Sequence, residues 1–124
     1  MIHKKILVVA TIATTIILIT FFYYKMTEPT PVSAPILSTT KISGITASSA
    51  LTGGNITSDG GTAITARGVC WSTDSNPTIN DRTTTDGAGT GRYSSTITGL
   101  TANTVYHVRA YATNSAGTAY GNAV

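Results

Sequence analysis

The sequence predicts an antiparallel all-β sandwich preceded by one transmembrane helix. An uncharged apolar run fills residues 6–24, and beyond residue 35 the chain is rich in Thr, Ser, Gly and β-branched residues. Such a composition favours strands and turns, and no helical period interrupts it. Turn-forming clusters recur at the spacing of short strands, as they do in sandwiches. The length of 124 residues leaves room for one small core.

The N-terminal segment carries the whole net charge of +3. Lys4, Lys5 and Lys25 flank the apolar run, whereas the other Lys and Arg residues are balanced by the five Asp and Glu residues. A helix over residues 6–24 would be about 28 Å long, which matches the hydrocarbon core of a bilayer. The basic residues before it predict that residues 1–5 stay in the cytoplasm and that the C-terminal part is exported.

A cleaved signal peptide is the alternative, because it also combines basic residues with an apolar run. The run at residues 6–24 is longer than the roughly 7–15 apolar residues of a signal peptide. The best cleavage site follows Ala34, where Pro35 would hinder the peptidase because proline lacks an N–H and has a fixed φ. We therefore favour an uncleaved signal anchor, whereas cleavage would release the folded part as a secreted protein.

Residues 36–124 are predicted to form the sandwich. Before it, residues 25–35 contain three of the four prolines and predict a semi-rigid polyproline II spacer. Six strands are predicted, at residues 36–41, 49–56, 63–72, 92–97, 104–114 and 118–124. Turn signals separate them at residues 58–61, 75–77, 86–89 and 114–117.

The last hairpin has a predictable register. If its loop centres on residues 115 and 116, the facing pairs are Tyr111 with Tyr120, Ala112 with Ala119, Arg109 with Asn122, and Val108 with Ala123. Alternation points one set of side chains inward, namely Tyr106, Val108, Ala110 and Ala112. It points the other set outward, namely His107, Arg109, Tyr111 and Thr113.

A bulky side chain is needed in the core, because most inward residues of this hairpin are small. Trp71, the only tryptophan, is predicted to fill it together with Val69. In the alternative, Gly68 and Cys70 point inward and Trp71 is an exposed binding residue. Cys70 is the single cysteine and is predicted to be a small structural residue, with an intermolecular disulfide or a reactive thiol as alternatives.

Residues 100–117, LTANTVYHVRAYATNSAG, resemble the F strand and F–G turn of fibronectin type III domains. The resemblance assigns Tyr106 to the tyrosine corner, in which the Tyr hydroxyl bonds to the backbone just upstream. Residues 53–61, 66–73 and 76–79 resemble the variant of this fold found in surface and secreted proteins of Bacteroidetes-type bacteria. The resemblance covers the whole predicted sandwich and implies an immunoglobulin-like fold in an extracytoplasmic protein.

Two departures from that family concern the core and the last strand. The second strand lacks the tryptophan that is usual in animal fibronectin type III domains, so Trp71 is expected to supply the core aromatic ring from the third strand. The last strand is expected to be short, because the family's final strand normally continues beyond the position of Val124. A continuation of the natural chain past that residue stays open.

The predicted sandwich holds no pattern of catalytic residues. His107 is its only histidine, and no nucleophile-elbow motif is present. Asp74, Asp81 and Asp86 lie in or beside predicted turns and lack the spacing of a calcium loop. Scattered Arg residues in a nearly neutral domain exclude a nucleic-acid-binding face. No enzyme activity, cofactor or metal site is therefore predicted.

The best candidate binding residues are Tyr111 and Tyr120, whose outward rings could stack against a sugar or a partner chain. Arg109 beside them, and Trp71 if it is exposed, complete the candidate set. The alternative is that the tyrosine pair only stabilises the hairpin.

These residues predict a non-catalytic module that is anchored in the membrane and lies at the cell surface or in the periplasm. It would act as a spacer or adhesion domain and bind an extracellular protein or glycan. The alternative is an accessory module at the N-terminus of a larger secreted hydrolase or adhesin. Both predictions depend on the resemblance and on topology, since the fold alone does not determine function.

Overall fold

A computed structural model of the protein describes residues 29–124. The predicted cytoplasmic residues 1–5, the transmembrane helix at 6–24 and the start of the spacer lie outside the described residues. Within residues 29–124, no helix is both long and apolar enough to cross a membrane. Residues 31–124 form one compact unit.

Seven strands form two sheets in this unit. In chain order they are β1 (Ile36–Thr39), β2 (Ala50–Ser58), β3 (Ala66–Ser72), β4 (Arg82–Thr83), β5 (Gly91–Ile97), β6 (His107–Asn114) and β7 (Gly117–Tyr120). One sheet has the order β1-β2-β5 and the other the order β4-β3-β6-β7, and every pair is antiparallel. The predicted antiparallel sandwich is confirmed, and the arrangement is consistent with the immunoglobulin-like and fibronectin type III folds.

β4 is a strand that the sequence does not predict. It contains only Arg82 and Thr83, which pair with β3 at the edge of the four-stranded sheet. Two residues are too few to show the alternation on which strand prediction depends. The six predicted strands are found with ends shifted by a few residues. β6, for example, begins only at His107, after a turn in which Asn103 has a left-handed φ of 57°.

The core lies between the two sheets and contains inward residues of both. Trp71 is 5 % exposed and Val69 is fully buried, so the predicted inward face of β3 is confirmed. Tyr93 of β5 is also buried, and its hydroxyl donates to the carbonyl of Gly68 at 2.7 Å. The Tyr93 ring fits because its partner on β2 is Gly54, where any Cβ would overlap the ring.

The register of the last hairpin is as predicted from its turn as far as the pair Tyr111 and Tyr120. Beyond that pair the prediction is wrong by one residue. Val108 exchanges both backbone hydrogen bonds with Val124 and none with Ala123. One strand therefore has an extra residue at this point, which is the geometry of a β-bulge.

Thr39 at the end of β1 accounts for the shift. Its hydroxyl accepts the N–H of Ala110 at 2.9 Å, whereas a regular antiparallel pair would direct that N–H to the carbonyl of Gly121. The N–H of Thr39 donates to the side-chain oxygen of Asn122 at 3.0 Å, so Asn122 bonds to β1 rather than lying free opposite Arg109. This contact between distant segments is not contained in the periodicity of a hairpin.

The chain joins the sandwich at one end, which we call the near pole. The near pole consists of residues 31–35 and the turns at residues 58–61 and 114–117. The N–H of Ser33 donates to the carbonyl of Gly60 at 2.9 Å, and the side-chain amide of Asn114 donates to the carbonyl of Ser33 at 2.7 Å. The predicted spacer at residues 25–35 therefore ends inside the folded unit.

Candidate functional site

Three of the four predicted binding residues, Arg109, Tyr111 and Tyr120, lie on the outer face of the four-stranded sheet, and this face is partly covered. Residues 73–86, which we call the strap, leave β3, cross the outer face and return along the edge of the sheet as β4 towards β5. Side chains of β6 and β7 hold the strap in place. Alternation identifies which residues point outward, but it contains no information on what lies over them.

Arg109 and Tyr120 make two of these contacts with the strap. Arg109 donates to the carbonyl of Pro77 through Nε at 2.9 Å and through Nη2 at 2.6 Å. Its guanidinium carbon lies 4.2 Å from the centroid of the Tyr120 ring, within the range of a cation–π interaction. The hydroxyl of Tyr120 accepts the N–H of Ile79 at 3.1 Å. Both candidate binding residues therefore hold the strap against the sheet.

Tyr111 is buried, and the expectation that it is exposed is wrong. It retains 6 % exposure. Its hydroxyl donates to the carbonyl of Thr84 in the strap at 2.6 Å. Gly68 is its partner on β3, and a Cβ at Gly68 would overlap the same carbonyl oxygen of Thr84. The pair with Tyr120 exists as predicted, but it does not form an open stacking platform.

The hydroxyl of Thr84 joins the strap to both sheets. It accepts the backbone N–H of Val69 at 3.0 Å, donates to the carboxylate of Asp86 at 2.8 Å, and lies 2.7 Å from the hydroxyl of Ser95 on β5. If the Ser95 hydroxyl donates, every bond is satisfied, because a hydroxyl has one proton and two lone pairs. Through Thr84, the strap therefore links β3 of one sheet to β5 of the other.

Cys70 points to the outer face and is fully buried beneath the strap. Its thiol lies 3.4 Å from the carbonyl of Pro77, which is itself buried. Burial raises the pKa of this thiol to about 11. A neutral, inaccessible thiol is neither a nucleophile nor a partner for a disulfide. The structural role predicted for Cys70 is therefore correct, and both alternatives are excluded for the folded state.

The buried thiol of Cys70 is expected to make the free energy of unfolding fall as the pH becomes alkaline. The folded-state pKa of about 11 lies above the ordinary value of 9.0, so the folded protein holds this proton more tightly than the unfolded chain. The resulting stabilisation is complete below pH 9 and is lost as the pH rises towards 11. Denaturant titrations at pH 8, 9 and 10 should show a falling free energy of unfolding.

The control for this pH dependence is Cys70→Ala, which should show a weaker fall between pH 9 and pH 10. In the native wild type at pH 8, a thiol-reactive disulfide reagent should leave Cys70 unmodified, and it should modify the thiol once the chain is unfolded. Rapid modification of the native protein would show that the strap does not cover the thiol.

Tyr106 has the role that the resemblance assigns to it. Its hydroxyl accepts the N–H of Thr101, five residues upstream, at 3.0 Å. This hydrogen bond lowers the pKa of Tyr106, because the N–H stabilises the charged phenolate more than the neutral hydroxyl. The tyrosine corner is therefore confirmed, and it fixes the turn between β5 and β6.

Trp71 belongs to the core, so the alternative of an exposed binding residue is wrong. The guanidinium carbon of Arg82 lies 5.9 Å from the centroid of its ring and covers the edge of the sandwich. Arg82 also donates to the carbonyl of Gly99 at 3.0 Å, across the gap between the sheets. The indole N–H of Trp71 is buried and finds no acceptor within residues 29–124.

Two of the aspartates, Asp59 and Asp81, bond to the backbone of their own turns. Asp59 accepts the N–H of Gly61 at 2.9 Å, and Asp81 accepts the N–H of Thr78 at 2.8 Å. Such local bonds are the usual reason for aspartate in turns. Among residues 29–124, no three His, Cys, Asp or Glu side chains are grouped closely enough to hold a metal ion.

The open surface lies at the other end of the sandwich, which we call the far pole. The far pole consists of the turns at residues 42–49 and 98–106, together with Val124. Ile45 is 75 % exposed and Val105 is 77 % exposed, and both line a groove of about 540 Å³ between the two turns. Of the described residues, none that lines this groove is charged.

A smaller apolar pocket of about 230 Å³ opens beside the groove and shares Ile45 and Tyr106 with it. Its deeper wall consists of the core residues Ile97 and Val108. Val124, which is 38 % exposed, also lines it. At this pole, the pocket therefore reaches two residues of the hydrophobic core that are themselves almost fully buried.

A third and more polar groove, of about 460 Å³, lies on the other side of Tyr106. Asp81 and Arg82 line it together with Trp71. A groove that contains charged residues therefore adjoins the two apolar cavities. The only signal of this end in the sequence is Val105: Tyr106 points inward, so alternation points the residue before it outward.

Comparisons with known proteins add no functional argument. No protein-family model and no curated protein matches the chain. A crystal structure of titin domains is similar over 76 % of this chain and 32 % of that chain, with 22 % sequence identity and a TM-score of 0.45. The chain therefore spans about a third of the length of that structure. The assignment of the fold depends on the sheet order and on the tyrosine corner.

Proposed function

We propose that the protein is a membrane-anchored, extracytoplasmic module without catalytic activity, of the fibronectin type III-like kind found in Bacteroidetes-type surface proteins. It acts as a spacer and adhesion unit and binds its partner through the far pole. The observation that carries this proposal is the contrast between the two poles. The near pole is occupied by residues 31–35 and their hydrogen bonds, whereas the far pole exposes Ile45 and Val105.

The sequence before the folded unit supports the anchor. Residues 6–24 are uncharged and long enough to span a bilayer, and Lys4 and Lys5 precede them. Since the chain reaches the sandwich at the near pole, the far pole is the end away from the point of attachment.

The chemistry of the far pole favours a protein partner over a glycan. Exposed aliphatic side chains around an uncharged groove bury apolar surface well, and they offer few hydrogen bonds to sugar hydroxyls. The tyrosine pair that suggested a glycan is engaged with the strap, with Tyr111 buried and Tyr120 bonded to Ile79. An apolar patch on the partner is the complement expected for this surface.

Protease treatment of intact cells tests the anchor and the orientation together. The full chain, with a tag after Val124, should fractionate with membranes at its uncleaved mass of 12.8 kDa plus the tag. Added protease should remove the tag from intact cells if the C-terminal part is outside; in a bacterium with an outer membrane, that membrane is first made permeable.

A cytoplasmic marker protein, which must survive the protease, is the control for this experiment. A second control is the double variant Lys4→Glu and Lys5→Glu, which weakens the charge asymmetry that sets the orientation and should protect the tag. A wild-type tag that survives until the cells are lysed would contradict the proposed orientation. Recovery of a shortened, soluble chain would show a cleaved signal peptide instead.

A further inference from the structure

We propose that the polar groove of about 460 Å³ beside Tyr106 is a binding site for a neutral saccharide. Its walls include Trp71 and Ser72 of β3, residues 80–82 of the strap, and Tyr106. The site adjoins the far-pole groove at Tyr106 and adds a second class of ligand to the proposed protein partner. Its volume lies within the range of about 300–1,000 Å³ that is usual for small-molecule sites.

The pairing of three strands brings these residues together. Arg82 begins β4 and is paired with Trp71 of β3. Tyr106 comes directly before β6, whose first residue, His107, is paired with Ser72 of β3. Because all these pairs are antiparallel, the end of β3 meets the starts of β4 and β6. The polar groove lies where they meet.

Three polar side chains of the groove are each fixed by a backbone group. A carboxylate oxygen of Asp81 accepts the N–H of Thr78 at 2.8 Å, and a guanidinium nitrogen of Arg82 donates to the carbonyl of Gly99 at 3.0 Å. The hydroxyl of Tyr106 accepts a backbone N–H in the tyrosine corner. A carboxylate has a second oxygen, a guanidinium has five N–H groups, and a phenol that accepts still has its own proton to donate. The side chains are therefore held in place with hydrogen-bonding capacity left for a ligand.

The charges of the groove favour a neutral ligand. Among the described residues, Asp81 and Arg82 are the only charged side chains that line it. An anionic ligand would be attracted by Arg82 and repelled by Asp81, and a cationic ligand would meet the reverse. A sugar hydroxyl both donates and accepts, so neighbouring hydroxyls can bond to both side chains. The exposed side-chain amide of Asn80 offers one more donor and acceptor.

Two aromatic residues add apolar surface to the groove. Tyr106 is half-buried, and Trp71 lies deeper at 5 % exposure. The C–H groups of a sugar ring can pack against such rings and bury apolar area. The indole N–H of Trp71 has no acceptor among residues 29–124, so this wall of the groove also contains an unpaired donor. Apolar rings with a few fixed polar groups are the usual composition of a ligand site.

Two-dimensional NMR of the isotope-labelled full chain tests the site, because Trp71 is the only tryptophan and gives a single indole N–H signal. The chain is purified in a detergent without a sugar head group if it is membrane-bound, and without detergent if it is not. The neutral probes are maltose, cellobiose, lactose and N,N′-diacetylchitobiose, and the charged probes are glucuronate and glucosamine. At least one neutral disaccharide should shift the indole signal, with a dissociation constant of about 0.1–10 mM, since exposed hydrogen bonds contribute little affinity.

Two variants locate the binding in the groove. Asn80→Ala and Asp81→Asn should each weaken the binding of that disaccharide at least about fivefold, because each removes an acceptor from the groove. The amide oxygen introduced by Asp81→Asn can still accept the N–H of Thr78, so the turn is retained. The matched control is Asp74→Asn, which makes the same change of charge in a strap residue that does not line the groove and should leave the affinity unchanged. Thermal unfolding verifies that every variant is folded.

Each other outcome would overturn the proposal. A wild type that responds to no neutral disaccharide up to about 50 mM would show that the groove binds no such sugar. Tighter binding of glucuronate or of glucosamine would instead assign the groove to an anion at Arg82 or to a cation at Asp81. Binding that is unaffected by both groove variants, or is weakened equally by Asp74→Asn, would place the sugar elsewhere. Membrane orientation does not enter this measurement, so its result is separate from that of the protease experiment.

Discussion

Gly68→Ala is expected to lower the free energy of unfolding by about 3 kcal/mol or more. The added methyl group would overlap the carbonyl oxygen of Thr84, which is backbone and cannot simply rotate away. That same carbonyl accepts the hydroxyl of Tyr111, so moving it also breaks a buried hydrogen bond. The strap must therefore lift from β3, and its loss exposes Cys70. Urea denaturation, followed by the fluorescence of Trp71, measures the effect.

Gly87→Ala is the matched control for this change. Gly87 has a φ of +81°, but nothing lies within 4 Å of the position that its Cβ would take. Only the strain of the left-handed backbone is added there, and a loss of about 1 kcal/mol is expected. Equal losses in the two variants would mean that the strap moves freely over Gly68. In the Gly68 variant, faster modification of Cys70 by a thiol reagent would locate the damage at the strap.

The strap explains why the candidate binding site could not be predicted. Alternation along β6 correctly points Arg109 and Tyr111 outward. Nothing in the sequence of a hairpin shows that residues 73–86, a segment without regular structure apart from β4, will cover that face. The one local signal was Gly68 opposite Tyr111, because a strand glycine often marks close approach of another backbone.

The fold itself was predictable wherever a local rule determines it. The turn signals and β-branched segments located six strands, and the resemblance correctly assigned Tyr106 to the tyrosine corner. The burial of Trp71 followed from the need to fill a core of small residues. The register beyond Tyr120 failed because Thr39, which is far away in sequence, takes the N–H of Ala110. Contacts of this kind depend on the packing of β1 against the opposite sheet.

Trp71→Ala is expected to lower the free energy of unfolding by about 3–5 kcal/mol, the usual effect of removing a large core aromatic. Trp71→Phe is expected to lower it by only about 1 kcal/mol or less. Phenylalanine retains much of the apolar volume and removes the indole N–H, which is buried without an acceptor among the described residues. A buried polar group without a partner costs about 1–3 kcal/mol of stability. Removing it therefore offsets much of the stability that is lost to the cavity beside the smaller ring.

Tyr93→Phe provides the comparison for Trp71→Phe, because it removes a buried polar group that is paired. The hydroxyl of Tyr93 donates to the carbonyl of Gly68 at 2.7 Å, and its loss should lower stability by about 1–2 kcal/mol although almost no volume changes. Thermal or urea unfolding followed by circular dichroism measures both variants, since Trp71 is the only tryptophan. A loss for Trp71→Phe well above that for Tyr93→Phe would mean that the indole N–H is hydrogen-bonded in the folded protein. The expected order instead makes Trp71 valuable for its volume alone, as the ring that packs against the small core residues Ala110 and Ala112 of β6.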